Sequence, residues 1–479
     1  MTQGLSDTAD SMKKNNIIRR LKTVLTIAGS DSSGGAGIQA DIKTIAAHDL
    51  FGTSVITSIT AQNTLGVQST HDLATDTVEA QLKAVLSDEK PAAVKTGMLG
   101  NEAIVECVAR QLKRARIKNL VVDPVMRSTD RKVLLSKKGI LALQEKLLPL
   151  ATLVTPNIPE AEILSGIKIK QPGDRLRAAR QIMKTGVKSV LIKGGHAKKH
   201  SDDFFFDGKR SWEFESVRLL PDGLHGTGCV LSAAVASGLA QGLDLPTAIR
   251  HAKGFIRTAI SSGILSGKGV GSVDPLAVFH RSRQRFELLQ SVSAALEVLK
   301  ENKIGNLIPE VQSNIGVGLP GAEGVADVVA IPGRIVKRGR DIFTVAQPQF
   351  GASRHVAKIV LTVMRFDPSQ RAVMNIKFTG SLLKACQRLG FKIGSFSRAD
   401  EPKSVKQLEG SSLEWGTHQA IRACGFVPDI IYDLGGQGKE EMIRVIASDV
   451  GSLLDKILKI HRRNQKDSPP QETDLWRKH

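Results

Sequence analysis

The sequence is poor in cysteine and in aromatic residues, and it contains no long hydrophobic run. It has 479 residues with 4 cysteines, and aromatic residues make up 4% of the chain. No CxxC pair occurs among Cys107, Cys229, Cys386 and Cys424, which argues against a zinc site or a disulfide framework and favours a reducing cytoplasm. Because no run reaches the roughly 18 apolar residues of a membrane-spanning helix, we expect no membrane segment.

Residues 1–19 are polar and lack the apolar core of a signal peptide, so we expect a disordered tail on a cytoplasmic protein. The net charge is +20 at pH 7. Lysine and arginine are spread along the whole chain, and so few aromatic residues offer no stacking platform for bases, so we do not expect a nucleic-acid partner. The positive charge instead favours anionic small-molecule substrates.

Strand-like and helix-like segments alternate through the first part of the chain, which is long enough for two or three domains. The predicted strands lie at 23–28, 54–60, 92–95 and 120–123 and near 153 and 190, and the predicted helices at 38–47, 78–86, 103–114, 227–240 and 246–262. Residues 204–207 and 212–214 read as a hairpin. This alternation predicts right-handed βαβ units, a mostly parallel sheet and helices on both faces.

Polar residues follow the predicted strands where ligands bind in such sheets, beyond the carboxyl ends. Turn-forming residues are common at strand ends, but a polar group at each of these strands indicates a shared ligand site. The groups begin at Gly29, Gln62, Lys95, Asp123, Thr155 and Lys193.

The run from Leu224 to Cys229, followed by small residues, is where a loop turns into a helix. Backbone N–H groups and the positive end of a helix dipole then point at an anion. The run lacks the GxxxxGK[ST] signature of a P-loop. We interpret it as a kinase-type anion hole, and the alternative is a glycine-rich helix start that only packs closely.

These residues belong to motifs that resemble the hydroxymethylpyrimidine/phosphomethylpyrimidine kinase family, within the ribokinase-like fold. The motifs are AGSDSSGGAGIQADIKT, VITSITAQNTLGVQ, KTGMLG, VVDPVM, TPNIPEAE, LIKGGH and HGTGCVLSAA. The resemblance implies a three-layer α/β/α domain over residues 20–280. It also implies that ATP phosphorylates a pyrimidine alcohol and then its monophosphate.

The resemblance also implies which residues line the pyrimidine pocket. Gln62 would pair with the aminopyrimidine edge, since an amide both donates and accepts hydrogen bonds. A rival substrate, pyridoxal, is disfavoured by Gln62 and Met98 in this family context. The implied pocket residues are Gly29, Ala36, Asp41, Gln62, Met98 and Val125.

At the phosphate end, the resemblance places Asp123 and Glu160 at Mg²⁺ and phosphates. Cys229 lies where many relatives have an aspartate base, so we expect the helix dipole to lower the pKa of its thiol and let it take the hydroxyl proton. The alternative is a small buried residue beside a loop that positions the substrates. The other residues implied here are Asn157, Lys193 and Thr227 for the nucleotide, and Gly226 and Gly228 for catalysis.

A second, smaller α/β domain is predicted over residues 285–462, after a linker at about 276–284 and before a basic tail at 463–479. Apolar residues between Phe286 and Leu299 have helical spacing. Strands are predicted at 325–331, 372–378, 393–396 and 430–432, and further helices at 354–364, 382–389, 413–424 and 439–461.

The second domain resembles the archaeal-type thiamine-phosphate synthase domain in LIPEVQSNIGVG, DVVAIPGRIV, FGASRHVAKIVL, RAVMNIKF, SLEWGTHQA and YDLGGQGKE. The resemblance implies that Arg334 neutralises a leaving diphosphate with Mg²⁺ while His355 holds or protonates it. Asn314, Asn375 and Glu414 are candidate supporting groups.

The two domains would therefore perform successive steps of thiamine biosynthesis. The first makes the pyrimidine diphosphate, and the second couples it with thiazole phosphate to give thiamine phosphate and diphosphate. The alternative is a kinase fused to a regulatory domain that senses thiamine phosphate. We expect a homo-oligomer, a dimer.

Overall fold

A computed structural model of the chain describes residues 19–128, 132–194, 202–214, 224–402, 411–436 and 438–467. The predicted tails at 1–19 and 463–479 lie largely outside these residues. The chain divides into two compact units, Met1–His280 and Arg281–His479. Within the described ranges, no helix is both long and apolar enough to cross a membrane.

The first unit is built on a nine-stranded sheet in the order β3-β2-β1-β4-β5-β6-β7-β8-β9. The strands β1, β2, β4, β5, β6 and β7 pair in parallel, whereas β3, β8 and β9 pair antiparallel at the two edges. The predicted mostly parallel sheet is confirmed. The bounds are β1 Thr23–Asp31, β2 Phe51–Asn63, β3 Gly66–Asp72, β4 Ala93–Thr96, β5 Leu120–Val122, β6 Leu153–Val154, β7 Val190–Ile192, β8 Asp203–Phe206 and β9 Ser211–Phe214.

Helices cover both faces of this sheet because its central strands are apolar on both sides. Leu25 and Ile27 pack into one buried cluster, and Val24 packs into the other. Such period-two alternation is what a strand with two buried faces requires. One face holds α2 Thr75–Asp88, α3 Glu102–Arg114, α4 Lys137–Ala142, α5 Ile158–Ser165 and α6 Pro172–Met183; the other holds α1 Gly37–Ala47, α7 Thr227–Gln241 and α8 Leu245–Ser261.

The second unit has a seven-stranded sheet in the order β14-β11-β10-β15-β18-β17-β16, and a separate β12–β13 hairpin. Its strands pair antiparallel except for the parallel pair β16–β17. The bounds are β10 Ile315–Gly318, β11 Val328–Ala330, β12 Ile335–Arg338, β13 Asp341–Thr344, β14 Gln349–Phe350, β15 Ala372–Lys377, β16 Ile393–Ser395, β17 Ile430–Asp433 and β18 Met442–Ala447.

This second sheet also lies between two helical layers, as a smaller α/β unit should. One buried cluster includes residues of α9 Ala277–Glu301, α11 Gly380–Arg388 and α13 Val450–Asp467. The other includes residues of α10 Arg354–Phe366 and α12 Ser411–Cys424.

Three predictions for the second unit are wrong. The expected helix at 439–461 is a strand, β18, followed by α13, which starts where the Asp449 side chain accepts the backbone N–H of Ser452. The predicted linker is helical from Ala277, and α13 extends the structure to Asp467, into the predicted tail. The first error arises because the apolar residues of β18 fit a helical period as well as a strand period.

Candidate active site

The start of α7 is a backbone cradle that only glycine permits. Gly226 is its N-cap residue, with φ +90°, and a Cβ atom there would lie 1.9 Å from the carbonyl oxygen of Gly35. Thr227 is the first helical residue. Because the first N–H groups of a helix have no intrahelical partner, this end of α7 can receive an anion.

An ion pair lies directly against this helix start. Lys193, which follows β7, places Nζ 2.8 Å from Oδ1 of Asp123, which follows β5. Ser232 of α7 donates a hydrogen bond to Oδ2 of Asp123 at 3.3 Å. A Cβ atom at Gly228 would lie 3.2 Å from Lys193 Nζ. The helix start, a cation and a carboxylate therefore meet at the carboxyl ends of the strands, as the sequence predicts.

Glu160 and Asn157 lie beside this pair at the start of α5. The two residues form a capping box: the Asn157 side chain accepts the Glu160 N–H at 2.9 Å, and the Glu160 carboxylate accepts the Asn157 N–H at 2.8 Å. Burial, reinforced by the charge of Asp123, raises the pKa of Glu160 to about 7 although Lys193 opposes the shift. A bound cation would stabilise the ionised form of the Glu160 carboxylate.

The carboxylates of Asp123 and Glu160 fit a magnesium site of the kind completed by a substrate. Mg²⁺ keeps several waters and is bound through one or two carboxylates plus substrate phosphates. Consistent with that sparse donor set, the described residues contain no cluster of three or more His, Cys, Asp or Glu side chains that could hold a metal by itself.

Asp41, predicted to line the pyrimidine pocket, forms a buried ion pair. Its Oδ2 lies 2.7 Å from Nζ of Lys95, both side chains are 0% exposed, and Thr26 donates a hydrogen bond to the same oxygen at 2.6 Å. Burial alone lowers the pKa of Lys95, but the charges of Asp41 and Asp123 raise it above its usual value. Lys95 therefore remains a buried cation close to Cys229.

The expectation for the Cys229 thiol is wrong. Burial raises its pKa to about 11, against the lowering effect of Lys95 and of a hydrogen bond from the Gly37 backbone. The cost of desolvating the thiolate is the largest contribution and outweighs these lowering effects. At neutral pH Cys229 is a neutral thiol.

Asp31 holds the loop that contacts the start of α7 through Gly35. The sequence analysis did not predict the hydrogen bonds that Asp31 makes. The Asp31 carboxylate accepts the backbone N–H groups of Gly35 at 3.1 Å and of Ala36 at 2.8 Å. Burial raises the pKa of Asp31, but hydrogen bonds, first that from His225, outweigh it and lower the pKa to about 2.

Gln62 reaches this loop through His225, which lies one residue before Gly226. Nε2 of His225 lies 2.7 Å from Nε2 of Gln62 and 3.3 Å from Oδ2 of Asp31. Both contacts use the same ring nitrogen, Nε2. Without a hydrogen, Nε2 accepts a hydrogen bond from the Gln62 amide, and with a hydrogen it donates one to the Asp31 carboxylate, so the two hydrogen bonds are alternatives. The HGTG motif contains this histidine, but nothing in the sequence indicates its contact with a residue 163 positions away.

The other predicted pocket residues lie in two places. Gly29 packs against Met98, whose Cε would lie 2.6 Å from a Cβ at that position. Ala36 caps α1 within the Asp31 loop. Val125 is half-buried and donates its N–H to the carbonyl of Asp123 at 2.8 Å, which places it beside that residue.

In the second unit the structure shows no direct bond between Arg334 and His355. Arg334 has φ +69°, is exposed, and donates to the carbonyl of Val311. His355 is exposed in the first turn of α10. Among the described residues, no hydrogen bond or ion pair joins the two.

The candidate supporting groups of the second unit separate into two places. The side chain of Asn375 accepts the Asn314 backbone N–H at 2.7 Å, so these two residues meet. Glu414 instead pairs with Arg365 at 2.9 Å, at a different place in the unit.

Comparison with known proteins assigns both units to families. A family model described as phosphomethylpyrimidine kinase matches residues 31–274, and one described as thiamine-phosphate synthase ThiN matches residues 291–459. The bifunctional thiamine biosynthesis protein ThiDN of Methanocaldococcus jannaschii is 35% identical over 438 residues, covering 91% of this chain and 97% of that protein. The chain belongs to this bifunctional family. Both resemblances drawn from the motifs are confirmed.

The first unit by itself matches further relatives. The hydroxymethylpyrimidine/phosphomethylpyrimidine kinase of Haemophilus influenzae is 47% identical over 256 residues, 52% of this chain and 95% of that enzyme. Among solved structures, the pyridoxal kinase of Bacillus subtilis in complex with ADP matches with a TM-score of 0.51 and 38% identity, covering 55% of this chain and 100% of its own. The ribokinase-like fold is confirmed.

Proposed function

We propose that the first unit transfers phosphate from ATP to hydroxymethylpyrimidine and then to its monophosphate, and that the second unit couples the resulting diphosphate with thiazole phosphate. The observation that carries the kinase assignment is the meeting of Asp123, Lys193 and the glycine start of α7 at one edge of the sheet. The family membership of both units supports the pairing of the two activities.

In the kinase unit, the transferred phosphate would lie against the first turn of α7. Lys193 and the backbone N–H groups of Gly226–Cys229 would neutralise the charge that spreads over the phosphate oxygens. Asp123 and Glu160 would hold Mg²⁺, and Asn157 and Thr227 would lie beside the nucleotide. When bound, Mg²⁺ supplies further charge neutralisation on the phosphates.

The neutral thiol of Cys229 gives this unit no strong base at neutral pH. Its place at the start of α7 instead supports a role in filling and shaping the cradle beside Lys95. The proton of the substrate hydroxyl would then leave late and pass to an oxygen of the transferred phosphoryl group, since phosphoryl transfer relies mainly on alignment and charge neutralisation.

The second unit would break one bond and form another. The C–O bond between the pyrimidine methylene and diphosphate breaks, and diphosphate leaves with the electron pair. The thiazole nitrogen gives its lone pair to the methylene carbon, forming the C–N bond of thiamine phosphate. Arg334 would neutralise the departing diphosphate, with Mg²⁺, and His355 would hold or protonate it.

One reaction mixture tests both activities. Purified protein receives hydroxymethylpyrimidine, ATP, Mg²⁺ and thiazole phosphate, and the products are separated by chromatography. Thiamine phosphate should form and should disappear in the His355→Ala variant. Pyrimidine diphosphate that accumulates without thiamine phosphate would contradict the synthase assignment and favour a sensing domain, which binding of thiamine phosphate would then establish.

Pyridoxal is the second candidate substrate of the kinase unit, because the first unit shares its fold with the pyridoxal kinases of Bacillus subtilis and Staphylococcus aureus. The greater identity to hydroxymethylpyrimidine/phosphomethylpyrimidine kinases favours the pyrimidine. The kcat/KM for each alcohol decides between them, and a larger value for pyridoxal would overturn the substrate assignment.

A further inference from the structure

A buried cluster of charges lies where β16 and β17 end in the second unit. Asp433, the last residue of β17, has Oδ1 2.5 Å from Nε of Arg398 and Oδ2 2.8 Å from Nη1 of Arg444. The side chain of Asp433 is 0% exposed, that of Arg444 1% and that of Arg398 10%. Both guanidinium groups also lie over the ring of Phe396, at 5.7 and 5.3 Å from its centre.

Counted over the residues that the structure describes, this cluster holds more positive than negative charge. Two arginines share one carboxylate, and the neighbouring Lys439, 3.6 Å from Glu401, adds one charge of each sign. In a medium of low dielectric constant, an uncompensated cation is costly unless an anion joins it. Arg444 carries this cost, because burial and the like charge of Arg398 lower its pKa although Asp433 raises it.

Among the described residues, two buried polar atoms at the cluster have no hydrogen-bond partner. They are Nε of Arg444 and Oε1 of the neighbouring Glu401. Arg444 alternates along β18 with Ile443 and Val445, which face the opposite core, so its side chain is directed to the face of the sheet covered by α10 and α12. A hydrophobic residue would suit that position better unless the charge serves a ligand.

A glycine-containing loop borders the cluster. Gly435 donates its N–H to Asp433 at 3.0 Å, and its φ of +71° and the Lys439 carbonyl, 2.5 Å from a Cβ placed there, both require glycine. Lys439 donates to the hydroxyl of Ser412 at 3.1 Å and is 43% exposed, so a cation remains reachable from solvent. Such a combination of arginine, lysine and turn backbone suits a phosphate group.

We propose that Arg398, Arg444, Asp433 and Lys439, the Arg398 cluster, form a binding site for the phosphate or diphosphate group of a substrate of the second unit. Arg398 and Lys439 would contact the anion, and Arg444 would position Asp433 and Arg398 from beneath. The inference rests on the proposed synthase function only for the source of the anion. Two substrates of that reaction carry the same chemistry, the pyrimidine diphosphate and the thiazole phosphate.

Binding of inorganic pyrophosphate to the full chain, followed by calorimetry, tests the site directly. The kinase unit also offers an anion site, so the comparison is between variants. Arg398→Gln and Lys439→Gln should each remove or weaken by about tenfold one class of pyrophosphate sites and leave the other class unchanged. The control Arg462→Gln, an exposed cation on α13 at the other face of the sheet, should bind as the wild type does.

Kinetics with supplied pyrimidine diphosphate and thiazole phosphate identify the source. The substrate whose KM rises about tenfold in both cluster variants, with kcat less affected, is the one whose phosphate binds here. Lys439 is a surface residue, so its variant remains informative if Arg398→Gln does not fold.

The outcomes separate the inference from the proposed function. Unchanged pyrophosphate binding and unchanged KM values in Lys439→Gln and in folded Arg398→Gln would overturn the site even if thiamine phosphate forms. If the wild type forms no thiamine phosphate, but the two variants each lose one class of the pyrophosphate sites that the wild type has, the binding site is supported and the synthase assignment is contradicted.

Discussion

Lys95 and Asp41 form an ion pair 2.7 Å long in which neither side chain is exposed to solvent. The sequence analysis placed Lys95 at the start of a polar group beyond a strand end, whereas the residue lies within β4 and is fully buried. Its neighbours suggest a structural role that supports Cys229 and Asp123.

Replacing Lys95 with methionine should lower the free energy of unfolding of the first unit by about 3–5 kcal/mol, because a buried carboxylate loses its counter-charge. Urea unfolding followed by circular dichroism measures this. The matched control Lys168→Met breaks a pair with Glu162 in which the lysine is 78% exposed, and should change stability by about 0.5 kcal/mol or less. Similar losses in both variants would refute the role of burial.

Cys229 should react slowly with alkylating reagents at neutral pH, because its pKa is about 11 and the thiolate is the nucleophile. The rate of iodoacetamide modification at Cys229, followed by peptide mass spectrometry, should keep rising up to pH 10. The same experiment on a Lys95→Met variant should show a slower reaction, since the nearby cation is lost. A rate that levels off near pH 7 would restore the activated thiol predicted from the sequence.

Glu160 should make the first unit less stable as pH rises. Its pKa is about 7 in the folded protein and 4.5 when unperturbed, so between these values the folded state binds more protons than the unfolded state. The stability due to its protonated form is complete below about pH 4.5 and is lost as pH rises through about 7.

A Glu160→Gln variant tests this, because glutamine keeps the neutral shape and can still complete the capping box. Its melting temperature should exceed that of the wild type at pH 8, and the two should converge near pH 4.5. A variant that is less stable at pH 8 would mean that the carboxylate is compensated by Lys193. Glu162→Gln, a half-buried neighbour on the same helix whose pKa is lowered by Lys168, is the control for helix effects.

The sequence predicted the strand ends well because their chemistry is local. Glycine, proline and acidic residues after apolar runs place Asp123 and Lys193 at one edge once a parallel sheet is assumed. The thiol of Cys229 could not be predicted in this way, because its pKa depends on burial and on charges from β4 and α1. The contact of Gln62 with His225 likewise depends on packing between distant segments.

In the second unit, the sequence analysis predicted one helix where the structure has β18 and α13, and this error concealed the Arg398 cluster. Arg444 in a supposed helix reads as a surface charge, whereas in a central strand it must lie inside a core. The antiparallel pairing of β18 with both β15 and β17 decides this, and no local pattern encodes it.

The central claim is that two separate sites of one chain act in succession, and mixing two inactive variants tests it most directly. Lys193→Gln should inactivate only the kinase steps, because Lys193 neutralises the transferred phosphate, and His355→Ala should inactivate only the coupling of supplied pyrimidine diphosphate with thiazole phosphate. Each variant alone should form little thiamine phosphate from hydroxymethylpyrimidine, ATP, Mg²⁺ and thiazole phosphate, and an equal mixture should restore its formation. A mixture that stays inactive, or a Lys193→Gln variant that also fails with supplied diphosphate, would contradict the account.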